Sequence, residues 1–307
     1  MPRALIVGDQ TDTHVIAVLE AIAARGGSSP FVLDAPRLAA ESYLLGDDSL
    51  TISDDAITLA DRGPGWLRRY APTRWGAGSL AGSLEAVSKR AFLTLVGSIS
   101  RLGNRQWLTD LDTMLRAEDR LVQLAVAAEL AMRIPQTVVT SDGERARSVL
   151  GDRFIVKPIA SGYYDTPAGP MAVFTTALTA NDLEQVEFAD APFVAQEEIE
   201  IREHLRVVTV GQSAWVASLD AAGRPLDWRR QEEAHFSWKA VCAPEVNANA
   251  LAIAERLGVG FSSQDWVRDN DDRPVFLDLN PGGQWLFLPE EVAAPITDAI
   301  AEFLCRS

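Results

Sequence analysis

Two oxygen-bearing side chains, Asp278 and Asn280, close the apolar segment 275–280 (VFLDLN) and could hold a metal ion. The alternating pattern predicts a strand whose buried face carries Leu277 and the apolar residues two positions to either side. Asp278 and Asn280 then share the opposite face, with Cα atoms about 6.5–7 Å apart. Hard cations such as Mg²⁺ take oxygen ligands, and phosphates and waters complete the shell. A polar strand end that leads into the turn at 281–283 is the alternative interpretation.

A third oxygen ligand is available from Asp265, in the preceding strand-like segment 264–267 (QDWV). If the two segments pair as neighbouring strands, Asp265, Asp278 and Asn280 form an all-oxygen set. Such a set suits Mg²⁺, with Mn²⁺ as the alternative, and does not suit zinc. The three histidines are scattered along the chain, and none of them is needed as a ligand.

Two cations are candidates for contact with a phosphate. Lys157 ends an apolar strand at 154–157 and precedes the segment 158–170, whose glycines and prolines predict a loop. A lysine there provides a point charge for a phosphate, although an exposed lysine at a strand end is the plainer interpretation. Arg206 lies within the apolar strand 204–208, so its burial requires an anionic partner, which is either a structural carboxylate or a phosphate.

The segment Gln196-Glu197-Glu198-Ile199 is a candidate for recognition of a base. It follows a predicted strand at 192–195, and the amides and carbonyls of such an extended segment could read the edge of an adenine.

The elements that position these residues predict an α/β fold. A strand at 4–7, a helix that begins after Asp12 and a strand at 30–34 form a β-α-β unit, which implies parallel strands. The turn of this unit lacks the three-glycine fingerprint of dinucleotide-binding domains. The downstream pattern predicts short strands over 48–62, a helical region over 79–116 with a break near Gly103, and a helix over 119–133.

The charge balance limits the classes of partner. The chain has 28 basic and 43 acidic residues, a net charge of −15, which repels nucleic acid and anionic membranes but leaves room for a nucleotide in a local cationic pocket. Cys242 and Cys305 form no disulfide framework, so a reducing cytoplasm is expected. The longest apolar stretch, 121–132, is interrupted by two polar residues and is too short to span a bilayer.

Residues 277–285 (LDLNPGGQW) resemble a motif of the ATP-grasp superfamily, in the branch that macrocyclises ribosomally made peptides, the microviridin- or graspetide-type maturases. Members typically have an acidic residue, an apolar residue, Asn-Pro, a short turn and then Gly-Gln-Trp. The resemblance extends over nearly the whole chain. Further matching positions are Trp66, Arg68-Arg69, Asn104, Trp107, Gln123-Leu124, 134–137, 156–158, 196–197, 205–207 and 227–229.

The resemblance implies an N-terminal α/β domain over 1–112 and two α+β subdomains, 113–193 and 194–307, that hold ATP between them. It implies that Lys157 contacts the ATP phosphates and that Arg206 steadies the transferred phosphoryl group. The remaining implied nucleotide contacts are Gln196, Glu197, Glu198, Ile199, Arg120 and Asn280. The implied magnesium ligands are Asp265, Asp278 and Asn280.

The implied reaction activates Asp or Glu side chains of a precursor peptide as acyl phosphates and closes lactones or lactams. A leader segment of that peptide would dock on the central domain, and family members often dimerise through the N-terminal region. Three positions depart from the family pattern: Arg120 replaces a lysine, His204 a glutamate, and Asp278 the commoner glutamate. Two alternatives stay open, a ligase that joins a free amino acid or small amine to a small-molecule or carrier carboxylate, and a nucleotide- or peptide-binding protein without catalysis.

Overall fold

The computed structural model describes residues 3–72, 75, 82–159, 163–166, 169–172, 175–179, 182 and 191–306. The strands are β1 (Leu5–Val7), β2 (Phe31–Leu33), β3 (Tyr43–Leu45), β4 (Ser49–Ile52), β5 (Asp55–Thr58), β6 (Pro64–Leu67), β7 (Gln106–Trp107), β8 (Thr137–Thr140), β9 (Arg153–Pro158), β10 (Tyr163–Thr166), β11 (Gly169–Ala172), β12 (Thr176–Thr179), β13 (Phe193–Glu197), β14 (Ile201–Val210), β15 (Ser213–Asp220), β16 (Lys239–Ala240), β17 (Phe261–Asp269) and β18 (Pro274–Asn280). The helices are α1 (Thr13–Ala24), α2 (Ala35–Ala40), α3 (Leu84–Arg101), α4 (Leu111–Ala117), α5 (Arg120–Glu129), α6 (Gly143–Leu150), α7 (Pro244–Leu257) and α8 (Glu290–Leu304).

The first part of the chain forms a parallel sheet with strand order β2-β1-β6-β7. The Asp12 side chain caps α1 by accepting a hydrogen bond from the backbone N–H of His14. Val15, Val18 and Ile22 recur at helical spacing and are buried, so α1 packs as the crossover between β1 and β2. The predicted β-α-β unit and the predicted α/β class are therefore confirmed.

Two antiparallel sheets follow, with orders β12-β9-β13-β8 and β16-β15-β14-β17-β18. The first of them carries Lys157 on β9 and Gln196 on β13. The second carries Arg206 on β14, Asp265 on β17 and Asp278 on β18. The strands that bear the predicted site residues therefore belong to two sheets.

The helical region predicted over 79–116 is divided near Gly103 as expected, but residues 106–107 form strand β7 instead of helix, and residues 79–81 lie outside the described part of the chain. The backbone at Gly103 has φ +72°, and a Cβ there would lie 2.2 Å from the carbonyl oxygen of Leu59, so only glycine fits the break between α3 and α4. The helix predicted over 119–133 is shorter, because α5 begins after the Asp119 cap and ends at Glu129. The short strands predicted over 48–62 are β4 and β5.

The loop predicted over 158–170 is wrong for part of that segment. Strands β10 and β11 pair antiparallel, with Tyr163 opposite Ala172 and Thr166 opposite Gly169. The two tyrosines and the threonine of β10 have high strand propensity, which the count of glycines and prolines did not take into account. Residues 160–162 and 167–168 lie outside the described part of the chain.

A β-bulge interrupts the predicted alternation in β18. Asp278 pairs with Asp265, but the next pair along the strands is Phe276 with Trp266, so Leu277 is an extra residue. Leu277 is half-buried and does not share the buried face with Leu279, whereas Phe276 is fully buried. The assignment of Leu277 to the buried face was therefore wrong.

Helices from the two ends of the chain share one core. Buried side chains of α1 and α8 pack in the same apolar cluster, together with Trp66 and Trp285. The division of the chain at residues 112 and 193 stays a prediction. Across the described segments, no helix combines the length and the apolar character needed to cross a membrane.

Candidate functional site

A cleft is lined by strands of both antiparallel sheets. Its apolar lining consists of Pro135, Ile155, Ile199, Ile201, Leu205, Leu226, Trp228, Trp266 and Leu277. Its polar lining consists of Arg120, Lys157, Thr175, Glu197, His204, Asp227, Arg229, Asp265 and Asp278. An apolar surface combined with a few converging charges is the usual composition of a site for a small ligand that has both a flat base and anionic groups.

Three of the predicted residues form a row across the second antiparallel sheet. Arg206 on β14 is the register partner of Asp265 on β17, and Asp265 is the register partner of Asp278 on β18. Directly opposed residues on neighbouring strands project from the same face of a sheet. The pairing of strands thus brings together two carboxylates that are 13 residues apart in the sequence, and it places an arginine beside them.

Each carboxylate of this row faces an arginine. Arg206 Nη1 lies 2.9 Å from Asp265 Oδ1, and Arg120 Nε lies 3.7 Å from Asp278 Oδ1. Burial raises the pKa of the Asp278 carboxyl and the charge of Asp265 adds to the rise, while Arg120, Lys157 and Arg206 oppose it. Two neighbouring carboxylates in a cleft repel each other, and a divalent cation relieves that repulsion.

The oxygen donors fit Mg²⁺. In proteins this ion usually binds one or two carboxylates, and phosphates and waters fill its other positions. Asp265 and Asp278 provide two such carboxylates. Within the described segments no three His, Cys, Asp or Glu side chains are grouped as metal ligands. Asn280 is exposed, and its Oδ1 accepts a hydrogen bond of 2.8 Å from the backbone N–H of Gly282, so one lone-pair direction is used by its own turn.

Arg206 is held by contacts with Asp265, Ser263 and Phe287. Its Nη1 also donates to Ser263 Oγ at 3.2 Å, and its Cζ lies 5.5 Å from the centroid of the Phe287 ring. The side chain is buried, and its Nε, which is buried as well, has no hydrogen-bond partner among the described residues. Of the two anions that the sequence left open, a structural carboxylate is therefore present.

Lys157 is oriented by a buried amide. Its Nζ donates to Gln196 Oε1 at 2.9 Å, and Gln196 Nε2 donates to Thr137 Oγ1 at 2.9 Å. Gln196 is completely buried, so its side chain holds the lysine instead of facing the cleft. Burial, together with the positive charge of Arg120, lowers the pKa of Lys157 to about 8.

The other candidate nucleotide contacts lie in different places. Glu197 and Ile199 line the cleft, whereas Glu198 is absent from its lining and forms an ion pair with Arg153. Arg120, at a position where the family usually has lysine, donates to the carbonyl oxygen of Pro158 at 3.0 Å and lines the same cleft. His204 and Asp227, which were not candidates, also line it.

A bidentate ion pair in the cleft wall was missed as a site feature. Arg229 donates to both carboxylate oxygens of Asp227, from Nε at 2.8 Å and from Nη2 at 2.9 Å. This contact raises the pKa of Arg229 further above its ordinary value. The sequence indicated 227–229 only as a position that matches the family and gave it no role. The pair forms because Asp227 caps the short 3-10 helix Trp228–Arg230 and Arg229 lies two residues after it.

A second polar network holds the turn that follows Asn280. His14 Nδ1 lies 3.0 Å from Asp12 Oδ1, and His14 Nε2 accepts a hydrogen bond of 3.2 Å from the backbone N–H of Trp285. Burial lowers the pKa of His14, which keeps the ring neutral and Nε2 able to accept. The fully buried Arg68 donates to the carbonyl oxygen of Gly282. In the sequence His14 is one of three scattered histidines, because the backbone that it holds at Trp285 lies 271 residues away.

Comparisons with known proteins agree with this architecture. No family model and no curated protein matches the chain. Among solved structures, the macrocyclase MdnC of Microcystis aeruginosa MRC bound with precursor peptide MdnA is similar over 100% of both chains, at 23% identity and TM-score 0.81. A RiPP-associated ATP-grasp ligase of Chryseobacterium gregarium, in complex with ADP and a leader and core peptide, covers 99% of this chain and 97% of its own, at 20% identity and TM-score 0.83. The macrocyclase MdnB of Microcystis aeruginosa MRC is 26% identical over 100% of both chains, with TM-score 0.75. The chain thus has the ATP-grasp fold, and the resemblance found in the sequence is confirmed.

Proposed function

We propose that the chain is an ATP-dependent ligase that activates Asp or Glu side-chain carboxylates of a ribosomally made precursor peptide and joins them to an amine or a hydroxyl. The observation that supports it best is the Arg206–Asp265–Asp278 row, which borders a cleft with Lys157 in its lining. This arrangement places carboxylates for a divalent cation and cations for phosphates around an apolar surface that suits a base. The fold is one that peptide-modifying ATP-grasp ligases also have.

The chemistry follows from the poor reactivity of a carboxylate. A carboxylate oxygen attacks the γ-phosphorus of ATP, the bond to the β–γ bridging oxygen breaks, and ADP leaves. The resulting acyl phosphate reacts with an amine or a hydroxyl, which loses a proton, and inorganic phosphate leaves as the amide or ester forms. Catalysis of this kind depends on positioning and on stabilising negative charge, and no protein nucleophile is needed.

The contacts of each residue indicate its proposed role in this reaction. Asp265 and Asp278 would hold Mg²⁺, with Asn280 as a third oxygen donor. The ion would bind the phosphates and neutralise part of their negative charge. Lys157 would bind the phosphates by its ammonium group, and the guanidinium of Arg206, held beside Asp265, would stabilise negative charge that develops on the transferred phosphoryl group. Glu197 and Ile199, together with the apolar lining, would hold the nucleoside.

A peptide substrate is supported by the neighbours whose structures contain one. MdnC is bound with its precursor peptide, and the Chryseobacterium ligase is in complex with a leader and a core peptide. The domain division at 112 and 193, a homodimer and a cytoplasmic location are further parts of this proposal, which rest on the resemblance and on cysteine usage. Mn²⁺ is the alternative to Mg²⁺, because the oxygen ligands suit both ions.

Mass spectrometry tests the proposal directly. The purified chain is incubated with ATP, Mg²⁺ and short peptides encoded next to its gene that contain Asp or Glu together with Ser, Thr or Lys. The proposed function requires loss of one water mass per ring within a single peptide, with one ADP formed per ring. ADP formation together with a gain of an amino-acid residue mass would instead indicate ligation to a free amino acid, and the absence of both products would contradict a ligase.

The affinity for nucleotide should depend on the protonation of Lys157. Its pKa is lowered to about 8, first by burial and then by Arg120, with Asp278 and Asp265 opposing the shift and Arg229 contributing to it. The ammonium form that attracts phosphates is present below that pH and is lost above it. The Kd for Mg²⁺ and a non-hydrolysable ATP analogue should therefore rise by about tenfold per pH unit above this point.

Calorimetric titrations on both sides of that pH check this expectation, with Lys157→Arg as the matched control. Arginine stays charged throughout the range, so the Kd of the variant should change little with pH even if its absolute value is higher. Parallel curves for the two proteins would show that a group other than Lys157 controls binding.

A further inference from the structure

A buried glutamine connects helix α5 to strand β18. Gln123 is only 1% exposed. Its Oε1 accepts a hydrogen bond of 2.9 Å from the backbone N–H of Leu279, and its Nε2 donates to the carbonyl oxygen of the same residue at 2.6 Å. The other Nε2 hydrogen is directed to the carbonyl oxygen of Ala117, also at 2.6 Å. Both groups of the side-chain amide are thus engaged with backbone.

The contact lies at the outer edge of the sheet. Strand β18 is the last strand of the order β16-β15-β14-β17-β18, so no strand of the described residues lies next to its outward N–H and C=O groups. The amide of Gln123 makes at Leu279 the pair of hydrogen bonds that another strand would make. It does so just after the bulge at Leu277, where the strand has lost its regular alternation and a bulged strand is locally bent and twisted.

The residue held in this way lies between two proposed metal ligands. Leu279 separates Asp278 from Asn280, so the direction of both side chains depends on the backbone that Gln123 fixes. Arg120 lies on the same helix, one turn before Gln123, and its Nε is 3.7 Å from Asp278 Oδ1. Helix α5 is therefore joined to strand β18 by the two hydrogen bonds between Gln123 and the backbone of Leu279 and by the ion pair between Arg120 and Asp278.

We infer that Gln123 is a positioning residue for the metal site, which aims the oxygens of Asp278 and Asn280 by fixing the backbone between them. The inference rests on the proposed function, because it takes these two residues as magnesium ligands. Gln123 is not among the residues that line the cleft, so it would act on the site through the backbone of β18. Its removal should weaken Mg²⁺ binding by more than a general loss of stability would explain.

The test compares Gln123→Met with Val126→Ala. Methionine keeps the shape of glutamine and removes every hydrogen bond of the amide, whereas Val126 is buried on the same helix and packs in the same apolar cluster as Leu279. Binding of a non-hydrolysable ATP analogue is followed by calorimetry over a series of Mg²⁺ concentrations, and Tm is recorded for each protein. Gln123→Met should need about 10–100-fold more Mg²⁺ for half-maximal binding, the usual effect of losing an outer partner of a metal ligand. Val126→Ala should lower Tm and leave the Mg²⁺ requirement unchanged.

Each outcome decides the inference. An unchanged Mg²⁺ requirement in Gln123→Met, or an equal rise in both variants, would overturn the positioning role. If Gln123→Met cannot be obtained folded, Gln123→Asn replaces it, because the shorter amide cannot reach both groups of Leu279, and the same rise is expected. Absence of Mg²⁺-dependent nucleotide binding in the unmodified protein would be a failure of the proposed function and not of this inference alone.

Discussion

Replacement of Asp278 by asparagine is expected to lower the rate of ADP formation by at least about 10³-fold, more than the 10–100-fold typical of an outer-shell partner of a metal. Asp278 and Asp265 are register partners and provide the two carboxylates of the proposed metal site. Asparagine keeps the shape and removes the charge, so the cleft keeps one carboxylate for the ion, and Arg120 loses its anionic partner. The loss should appear both in turnover and in Mg²⁺-dependent binding of nucleotide.

The matched control makes the same change elsewhere on the β17–β18 hairpin. Asp271 lies in the turn between the two strands, is exposed, and pairs with Arg273 at the surface. Exposed ion pairs of this kind contribute about 0–1 kcal/mol, so Asp271→Asn should leave turnover and Mg²⁺ dependence unchanged. Retention of Mg²⁺-dependent ADP formation by Asp278→Asn would remove this residue from the metal site.

Replacement of Arg206 by glutamine is expected to lower kcat by about 10²–10³-fold, the range found when one donor to a developing negative charge is removed. Its guanidinium is buried and is held by Asp265 and Ser263 beside the proposed metal site. An interaction made mainly in the transition state affects kcat and leaves ground-state binding largely intact. Nucleotide affinity should therefore be retained. The change also removes a cation that competes with the metal for Asp265, which favours binding of the metal.

Arg202 provides the comparison on the same strand. It lies near the start of β14, is exposed, and its Nη2 is 2.6 Å from Asp272 Oδ1. Arg202→Gln removes the same charge without touching the row, so kcat should be unchanged. If Arg206→Gln loses nucleotide affinity and kcat in the same proportion, Arg206 binds the ground state and has no special role in phosphoryl transfer.

These two variants also distinguish the role of Asp278 from the role of Arg206. Asp278→Asn should lose Mg²⁺-dependent binding along with turnover, whereas Arg206→Gln should lose turnover and keep binding. A cleft that merely bound nucleotide would show no such division, because removal of either residue would affect only affinity. The contrast between the variants therefore distinguishes a ligase from a nucleotide-binding protein.

The sequence was sufficient to place the charged residues but not to orient all of them. Side-chain alternation and two neighbouring strand-like segments predicted that Asp265 and Asp278 would meet, and they are register partners. The bulge at Leu277 was not predictable, because an extra residue in a strand has no signature in a pattern of apolar residues. Gln196 shows the same limit, since its burial under Lys157 depends on the pairing of β13 with β9.

Contacts between distant parts of the chain were beyond the sequence. The hydrogen bond from the backbone of Trp285 to His14 joins residues 271 positions apart, and Arg68 reaches Gly282 over 214 positions. Local propensity and periodicity describe segments, whereas these contacts depend on how the N-terminal sheet packs on the second antiparallel sheet. The motif at 277–285 indicated that the turn after Asn280 matters, but it gave no sign of the partners that hold it.

A crystal structure of the chain with Mg²⁺ and a non-hydrolysable ATP analogue tests the central proposal most directly. That proposal is that Asp265 and Asp278 bind Mg²⁺ and that Lys157 binds the ATP phosphates. We expect Mg²⁺ within about 2.0–2.1 Å of an oxygen of each carboxylate. Lys157 Nζ should lie within about 2.7–2.9 Å of a phosphate oxygen. A nucleotide bound outside this cleft, or a metal ion coordinated without either aspartate, would contradict the proposal.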